Sequence, residues 1–428
     1  MNDNFFISTF GCKLNIYESE SISYILKENG FIHTDKPEAS DIIIINSCTV
    51  TTKADAKCRN SIRKLKKENP NAITILCGCL VNTDINELVK MEEVDIFIEN
   101  KDKDKILDAI NLFKKTNIKP LIYKAQNDGS FNFKTYNMAN HSRAFIKIQD
   151  GCDNYCSYCK IPYARGKSRS RDLDSILFEI ENIITNNFNE IVLTGINIGS
   201  FMYNNTDFAK LLDILTQKFT DTRFRISSIE PDFITDQFIN VFSKKNICSH
   251  IHIPLQSGSD KILKLMNRKY NLEQFYDKIE KLKKIKDNPF LSSDLILGFP
   301  SESNANFEET IDFINKVNFS FIHLFGYSPR KGTKAYDMPE KVPERIRDER
   351  ITQLKTIVEN LNLNYRKQFV NKTLETIIEK KHHNYYTGKT DNYIDLKIFS
   401  QENLISKKKY NVLFKNIEGN TNIGITQI

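Results

Sequence analysis

The run Arg143-Ala144-Phe145-Ile146-Lys147-Ile148, followed three residues on by Cys152-Asp153-Asn154-Tyr155-Cys156-Ser157-Tyr158-Cys159, decides how this chain is read. The first run is a predicted strand. The second is a turn carrying three thiols at the spacing C-x3-C-x2-C. Thiolates are soft, anionic donors that suit iron–sulfur clusters. Three of them cannot ligate all four irons of a [4Fe–4S] cluster, so one iron stays open to an external ligand. Two blander readings stand beside this one on the residues alone. One is a zinc site completed from elsewhere; the other is three chance cysteines in a loop. Against zinc, no Cys or His follows at finger-like spacing, the next cysteine being Cys248.

Downstream of that loop, strand signals alternate with helical stretches. Predicted strands are Glu190–Thr194, Arg223–Ser228, His250–Leu255, Ser292–Leu297 and Phe321–Tyr327, and a long charged helix, Pro343–Arg366, closes the region. With Arg143–Ile148 that makes six βα units. Six are too few for a closed eight-strand barrel, so an open or partial (β/α)6 barrel is expected. From about Asn371 short β-rich runs follow at close spacing, the pattern of a small five-stranded all-β barrel.

Upstream, Phe5–Phe10, the Ile42-Ile43-Ile44-Ile45 run, Ile73–Leu76 and Val94–Ile98 are separated by helical patterns. That is the signature of a doubly wound parallel sheet. Residues 115–140 are polar and irregular, which reads as a linker. Cys12, Cys48 and Cys79 each follow one of the first three strands, at gaps of about one βαβ unit. In open parallel sheets ligands gather outside the carboxyl ends of the strands. Adjacent strands lie about 4.8 Å apart, so three such loops can converge on one compact cluster. Cys58, inside a predicted helix, Cys77, still within a strand, and Cys248 read as small buried hydrophobes.

The bulk numbers bound the class. In 428 residues, 40% are hydrophobic and 27% charged. No apolar run approaches the roughly 18 residues of a membrane span, and the start lacks a secretory pattern, so the cytoplasm is the expected compartment and no membrane partner is expected. Nine cysteines without secretion point to metal or redox chemistry rather than disulfides. The net charge of +7 is compatible with a polyanionic partner such as nucleic acid.

The C-x3-C-x2-C loop, with aromatic Tyr158 before its last cysteine, resembles the radical S-adenosylmethionine superfamily. The words Thr9-Phe10-Gly11-Cys12-Lys13-Leu14-Asn15, Ile45-Asn46-Ser47-Cys48-Thr49-Val50 and Cys77-Gly78-Cys79 narrow that to the methylthiotransferases. So do Ile161-Pro162-Tyr163-Ala164-Arg165-Gly166, His252-Ile253-Pro254-Leu255-Gln256-Ser257-Gly258 and Asp294-Leu295-Ile296-Leu297-Gly298-Phe299-Pro300. The terminal barrel looks like a TRAM domain. The resemblance implies three domains, at 1–118, 138–367 and 370–428. It implies two [4Fe–4S] clusters, a catalytic one on Cys152, Cys156 and Cys159 and an auxiliary one on Cys12, Cys48 and Cys79. It implies S-adenosylmethionine as cofactor, with Tyr158, Thr194, Gly195, Asn197, Ser228, Glu230 and Gln256 as candidate contacts. A tRNA substrate, a low-potential electron donor and a sulfur donor complete the expected partners.

Within that family the words Thr9–Lys13, His250–Asp260 and Met266–Tyr270 look most like the branch that adds a methylthio group to C2 of N6-threonylcarbamoyladenosine beside the anticodon. The alternatives are N6-isopentenyladenosine in tRNA, an aspartate of a ribosomal protein, and a non-catalytic iron–sulfur RNA-binding protein. Alternate residues of an extended segment share a face, so Arg165, Lys167, Arg169 and Arg171 are expected to line a phosphate track. Lys380, Lys381, Lys407–Lys409 and Tyr385, Tyr386 and Tyr393 are expected to offer an RNA-binding face on the terminal barrel. Two departures from the family pattern stand out. Ser301 occupies a usual glycine position, and Ser406–Tyr410 lacks a glycine.

Overall fold

A computed structural model describes residues 3–125, 131–135, 138 and 141–426. The first sheet has six parallel strands: β1 (Asn4–Thr9), β2 (Ile32–His33), β3 (Ile42–Ser47), β4 (Ile73–Gly78), β5 (Ile96–Ile98) and β6 (Leu121–Tyr123), in the order β2-β1-β3-β4-β5-β6. Helices α1 (Lys13–Glu28), α2 (Thr52–Glu68), α3 (Cys79–Leu88) and α4 (Ile106–Thr116) connect the strands. Ile42 to Ile45 are all fully buried. Burial on both faces explains why β3 is an unbroken isoleucine run rather than an alternating one. Each such side chain contributes about 1.5–3 kcal/mol. α2 starts where Thr51 accepts a hydrogen bond from the Ala54 amide at 3.1 Å, and it packs Cys58, Ile62 and Leu65 onto Ile43, Ile45 and Leu76.

The stretch expected as a linker, 115–140, supplies β6 instead. Its Phe133 is buried, and the Phe133 carbonyl accepts from the Tyr17 hydroxyl at 3.1 Å. A three-residue strand is too short to show a period. The remainder of that expected linker, 126–130 with 136, 137, 139 and 140, falls outside the described residues.

The six expected central strands all form: β7 (Ala144–Lys147), β8 (Glu190–Thr194), β9 (Arg223–Ile226), β10 (His250–His252), β11 (Phe290–Leu297) and β12 (Phe321–Gly326). They pair in parallel as β9-β8-β7 and β10-β11-β12. The halves join where the Phe224 amide donates to Asn246 O and the Cys248 amide to Phe224 O, both at 2.8 Å. The result is an open, six-stranded partial barrel with its helices outside. At one end Glu190 is buried between Arg223 and Arg225, each donating to it at 2.6 Å.

The last five strands, β13 (Thr373–Lys381), β14 (Tyr386–Thr390), β15 (Asp395–Phe399), β16 (Lys409–Glu418) and β17 (Thr421–Thr426), close a barrel in the order β13-β14-β15-β17-β16. Its core, including Ile378, Leu396, Ile398, Val412 and Phe414, runs on to Phe290 and Tyr365. Both departures from the family pattern fall on left-handed backbone, Ser301 at φ 67° and Lys407 at φ 72°. These are conformations that glycine adopts without a Cβ penalty.

The chain divides into two compact units. One comprises Met1–Thr135, Gln149–Arg171 and Ser328–Tyr336; the other comprises Tyr136–Ile148, Asp172–Tyr327 and Asp337–Ile428. The cysteine loop that follows β7 therefore belongs to the unit built on the first sheet.

Candidate functional site

In the first unit, Cys12, Cys48 and Cys79 stand just beyond the carboxyl ends of β1, β3 and β4, three neighbours in the sheet. Cys12 caps α1 and Cys79 opens α3. Polar side chains stitch the three loops together. The Asn15 amide donates to Phe10 O at 2.6 Å and to Ser47 O at 3.0 Å. The Ser47 hydroxyl donates to Cys77 O at 2.6 Å and accepts from the Leu80 amide at 3.2 Å. Burial pushes the Cys48 thiol up to about 11, and the nearby Cys79 and Cys12 push the same way against the Val50 amide and Arg165. A buried thiol of this kind ionises when a metal takes its proton's place.

In the loop that follows β7, the Cys152 amide donates to Gly166 O at 3.1 Å and the Cys159 amide to Cys156 O at 2.9 Å. The amides of Asn154 and Ile161 each point at a sulfur, Cys152 Sγ and Cys159 Sγ, at 3.5 Å. Such donors spread the charge of a thiolate bound to iron. All three cysteines are partly exposed.

Both cysteine groups share one local device, a Gly-Cys step with positive φ: Gly11 at 102°, Gly78 at 105° and Gly151 at 75°. A Cβ on Gly78 would run into the Ser47 backbone, and one on Gly151 into the Lys167 carbonyl. Soft donors, amide N–H groups aimed at sulfur and turns that only glycine can make together fit iron–sulfur clusters. Cys58, Cys77 and Cys248 are buried, with thiols pushed up by burial to about 12, 11 and 12. They behave as small hydrophobes, as their positions in the sequence suggested.

The arginine row does not form a phosphate track. Arg165 ends a short helix, α5 (Ile161–Arg165), and turns inward. It donates to Glu18 at 2.8 Å, Asn15 at 2.7 Å and Asp150 at 3.2 Å. Burial opposes its charge, but Glu18, Cys79 and Asp150 outweigh it and hold the guanidinium protonated. Arg171 is buried and bonds the Tyr17 hydroxyl at 3.4 Å. The alternation argument needs an extended segment, but Arg165 closes a helical turn, and Arg171, although it follows an extended step, is drawn inward to Tyr17.

Sequence reasoning also passes over Asn100, Lys103 and Arg330. Asn100 is buried and donates to Cys79 Sγ at 3.6 Å and to Ala164 O at 2.9 Å. It follows β5, so the strand-end rule that finds the cysteines would have nominated it. Lys103 bonds Glu18 at 2.6 Å and Asn46 at 2.9 Å. Arg330 bonds Thr49 and Asp55, each at 2.6 Å.

In the second unit, Thr194 ends β8 and is buried, Gly195 follows it, and buried Asn197 caps a short 3-10 turn. Ser228 is half-buried. Burial holds the Glu230 carboxyl above its usual pKa range, despite the ion pair it makes with Arg268. Gln256 has φ 67° and donates its amide to Asp294 O at 2.8 Å. On β10, β11 and β12, donor atoms of His252, Asp294 and His323 lie within 4.8 Å of one another. His252 Nε2 is 3.2 Å from Asp294, and its Nδ1 is 3.0 Å from the Ser292 hydroxyl.

On the terminal barrel the expected RNA face shrinks. Tyr386 is buried, with its hydroxyl 3.1 Å from Asn403. Tyr393 stacks on His250 at 4.2 Å. Lys407 covers the Phe188 ring at 3.9 Å, and Lys409 donates to Asp221 O at 3.1 Å. Tyr385 keeps an outward position, stacked on His382 at 4.4 Å with Lys397 over its ring at 4.5 Å. No helix among the described residues is long and apolar enough to cross a membrane.

Two family models match: the uncharacterized protein family UPF0004 over residues 4–99, and the radical SAM superfamily over 146–314. The chain is 38% identical to the threonylcarbamoyladenosine tRNA methylthiotransferase of Bacillus subtilis, over 93% of this chain and 91% of that protein. A protein of the same name from Thermotoga maritima is 36% identical over 87% of this chain and 86% of its own length. The tRNA-2-methylthio-N(6)-dimethylallyladenosine synthase of Clostridium botulinum is 35% identical over 90% and 89%. Among solved structures, the radical S-adenosylmethionine methyltransferase TsrM of Kitasatospora setae superposes with TM-score 0.61 at 12% identity, covering 78% of this chain and 77% of that one. That likeness speaks for the fold alone.

Proposed function

Because the chain belongs to the radical SAM methylthiotransferases that modify tRNA, we propose that it adds a methylthio group to C2 of N6-threonylcarbamoyladenosine next to the anticodon. The observation that carries this reading is the 38% identity to the Bacillus subtilis enzyme across 93% of the chain. His252, Asp294 and His323 support it, because imidazole and carboxylate groups can pair with the hydroxyl and carboxylate of a threonyl group. The dimethylallyl reading is the second one, favoured by 35% identity over 90% of the chain.

In this reading Cys152, Cys156 and Cys159 hold the catalytic [4Fe–4S] cluster, and Cys12, Cys48 and Cys79 hold an auxiliary one. When bound, the catalytic cluster supplies a single low-potential electron to S-adenosylmethionine. The protein's own part is positional. The Asn154 and Ile161 amides steady the Cys152 and Cys159 sulfurs. Arg165 sets a permanent positive charge near Cys79 and Cys48. Tyr158, Thr194, Gly195, Asn197, Ser228 and Gln256 orient S-adenosylmethionine, and Glu230, fixed by Arg268, presents a placed carboxyl. A low-potential electron donor and a sulfur donor serve the reaction from outside the chain.

The test is mass spectrometry of nucleosides from total tRNA with and without the gene. Loss of the methylthio mark from threonylcarbamoyladenosine is the expected result. Loss from isopentenyladenosine instead would move the substrate to the second reading. If both marks persist, labelled-methyl transfer into ribosomal protein becomes the next measurement. Reconstituted, reduced protein that makes no 5′-deoxyadenosine would remove the enzymatic reading altogether.

A further inference from the structure

The unit that carries both cysteine groups contains a buried polar lattice, and every strand-end cysteine loop is fastened by it. At the Cys12 loop, Arg165 reaches back from the Cys152 loop to Asn15 and Glu18. At the Cys48 loop, Arg330 holds Thr49 and Asp55, while the Ala335 amide from the same segment donates to Ser157 O at 2.8 Å, between Cys156 and Cys159. At the Cys79 loop one side-chain nitrogen does both jobs. Asn100 Nδ2 donates to Cys79 Sγ at 3.6 Å and to Ala164 O at 2.9 Å.

The charges gathered around Glu18 balance and are enclosed. Side chains of Glu18 and Lys103 are 0% exposed, and those of Arg165 and Asp150 are 1% exposed. Buried ion pairs stabilise little compared with apolar groups of the same volume. What such a lattice does supply is fixed geometry, since each member is located by several hydrogen bonds at once. Hydrogen bonds to cluster sulfurs also help to set reduction potential. A donor favours the more negative, reduced state, so removing it lowers the potential.

We propose that Asn100 is a positioning residue that tunes the cluster on Cys79 and registers it against the loop bearing the other cluster, so that one amide governs both the auxiliary potential and its alignment. This rests on the two-cluster reading above. Asn100 is buried, its backbone amide is held by Asn82 Oδ1 at 2.9 Å, and it is not itself a ligand. Its substitution therefore separates tuning from ligation.

The experiment is EPR-monitored redox titration of anaerobically reconstituted holoenzyme, wild type against Asn100→Leu, with iron and sulfide analysis of both. The expected result is iron for two clusters in each, one midpoint shifted to more negative potential in the variant, and the other midpoint unchanged. Methylthio transfer should fall about 10–100-fold while 5′-deoxyadenosine formation persists. Asn100→Asp, which keeps the size and removes the donor, covers the case in which the leucine variant fails to load. Fully loaded variants with both midpoints at wild-type values would overturn the proposal. Wild-type protein holding iron for one cluster would overturn the two-cluster reading first, and this proposal with it.

Discussion

The two cysteine groups, each proposed to hold a cluster, are assembled by opposite routes. Cys152, Cys156 and Cys159 sit within eight consecutive residues, and their geometry is that of one turn. Cys12, Cys48 and Cys79 are spread over 68 positions (79 − 12 + 1), and they meet because β1, β3 and β4 are adjacent. The local group is written in spacing; the distributed group is written in topology. A local site tolerates changes elsewhere in the fold, whereas a distributed site depends on every strand that delivers a ligand. The shared Gly-Cys step shows that both routes still need the same sharp turn at the sulfur.

The largest expected effect separates the groups by role. Cys152→Ala should reduce 5′-deoxyadenosine formation to background. Cys12→Ala should leave that formation largely intact and abolish methylthio product, both followed by chromatography of one reaction. Product from Cys12→Ala would end the functional contrast. Next, Glu190→Gln should cost about 3–5 kcal/mol in urea melts, because it strands Arg223 and Arg225 in a buried site. Because Glu190 touches neither cysteine group and lies outside the unit that holds them, iron loading of both should stay at the wild-type level; loss from the Cys152 group would break the contrast.

Glu190 also gives a pH signature. Burial alone would raise its pKa, but Arg223 and Arg225 hold it well below the ordinary 4.5. Its stabilisation is therefore complete above about 4.5 and is lost as pH falls through the lower folded value. The wild-type melt should weaken on acidification across that window, and the Gln variant should weaken less. Gly78→Ala should cost about 3 kcal/mol through left-handed strain and the clash with Ser47. Iron analysis should show loss from the distributed group while 5′-deoxyadenosine formation survives. Smallest of all, Ser301→Gly should stabilise by up to about 1 kcal/mol, as relief of its positive φ outweighs added chain entropy. A thermal melt below wild type would show that Ser301 is not strained.

Much of the molecule is legible in its residues where the signal is a run or a period. The isoleucines of β3, the six central strands and the five terminal ones have one physical cause each, burial or alternation. β2 and β6 escape because two or three residues carry no period. The arginine row and Tyr386 and Tyr393 mislead for a different reason. Composition advertises charge and aromaticity but not the partner that turns a side chain inward, and Glu18 lies 147 positions from Arg165. Asn100 is legible by the strand-end rule and is easily passed over, because an asparagine after a strand looks like an ordinary turn. Lys407 shows the limit of comparing residue types: like Ser301 it has positive φ, but its side chain is engaged by stacking on Phe188.

The first unit is assembled from three separated stretches, the last of them Ser328–Tyr336. A ribosome releases Cys12, Cys48 and Cys79 early, but Arg330 and Ala335, which fasten the Cys48 loop and the Cys152 loop, emerge about 250 residues after Cys79. The fastening of these cysteine loops is therefore incomplete while the central barrel is still being made. On the two-cluster proposal, the loops that would receive iron are fully fastened only in a nearly finished chain.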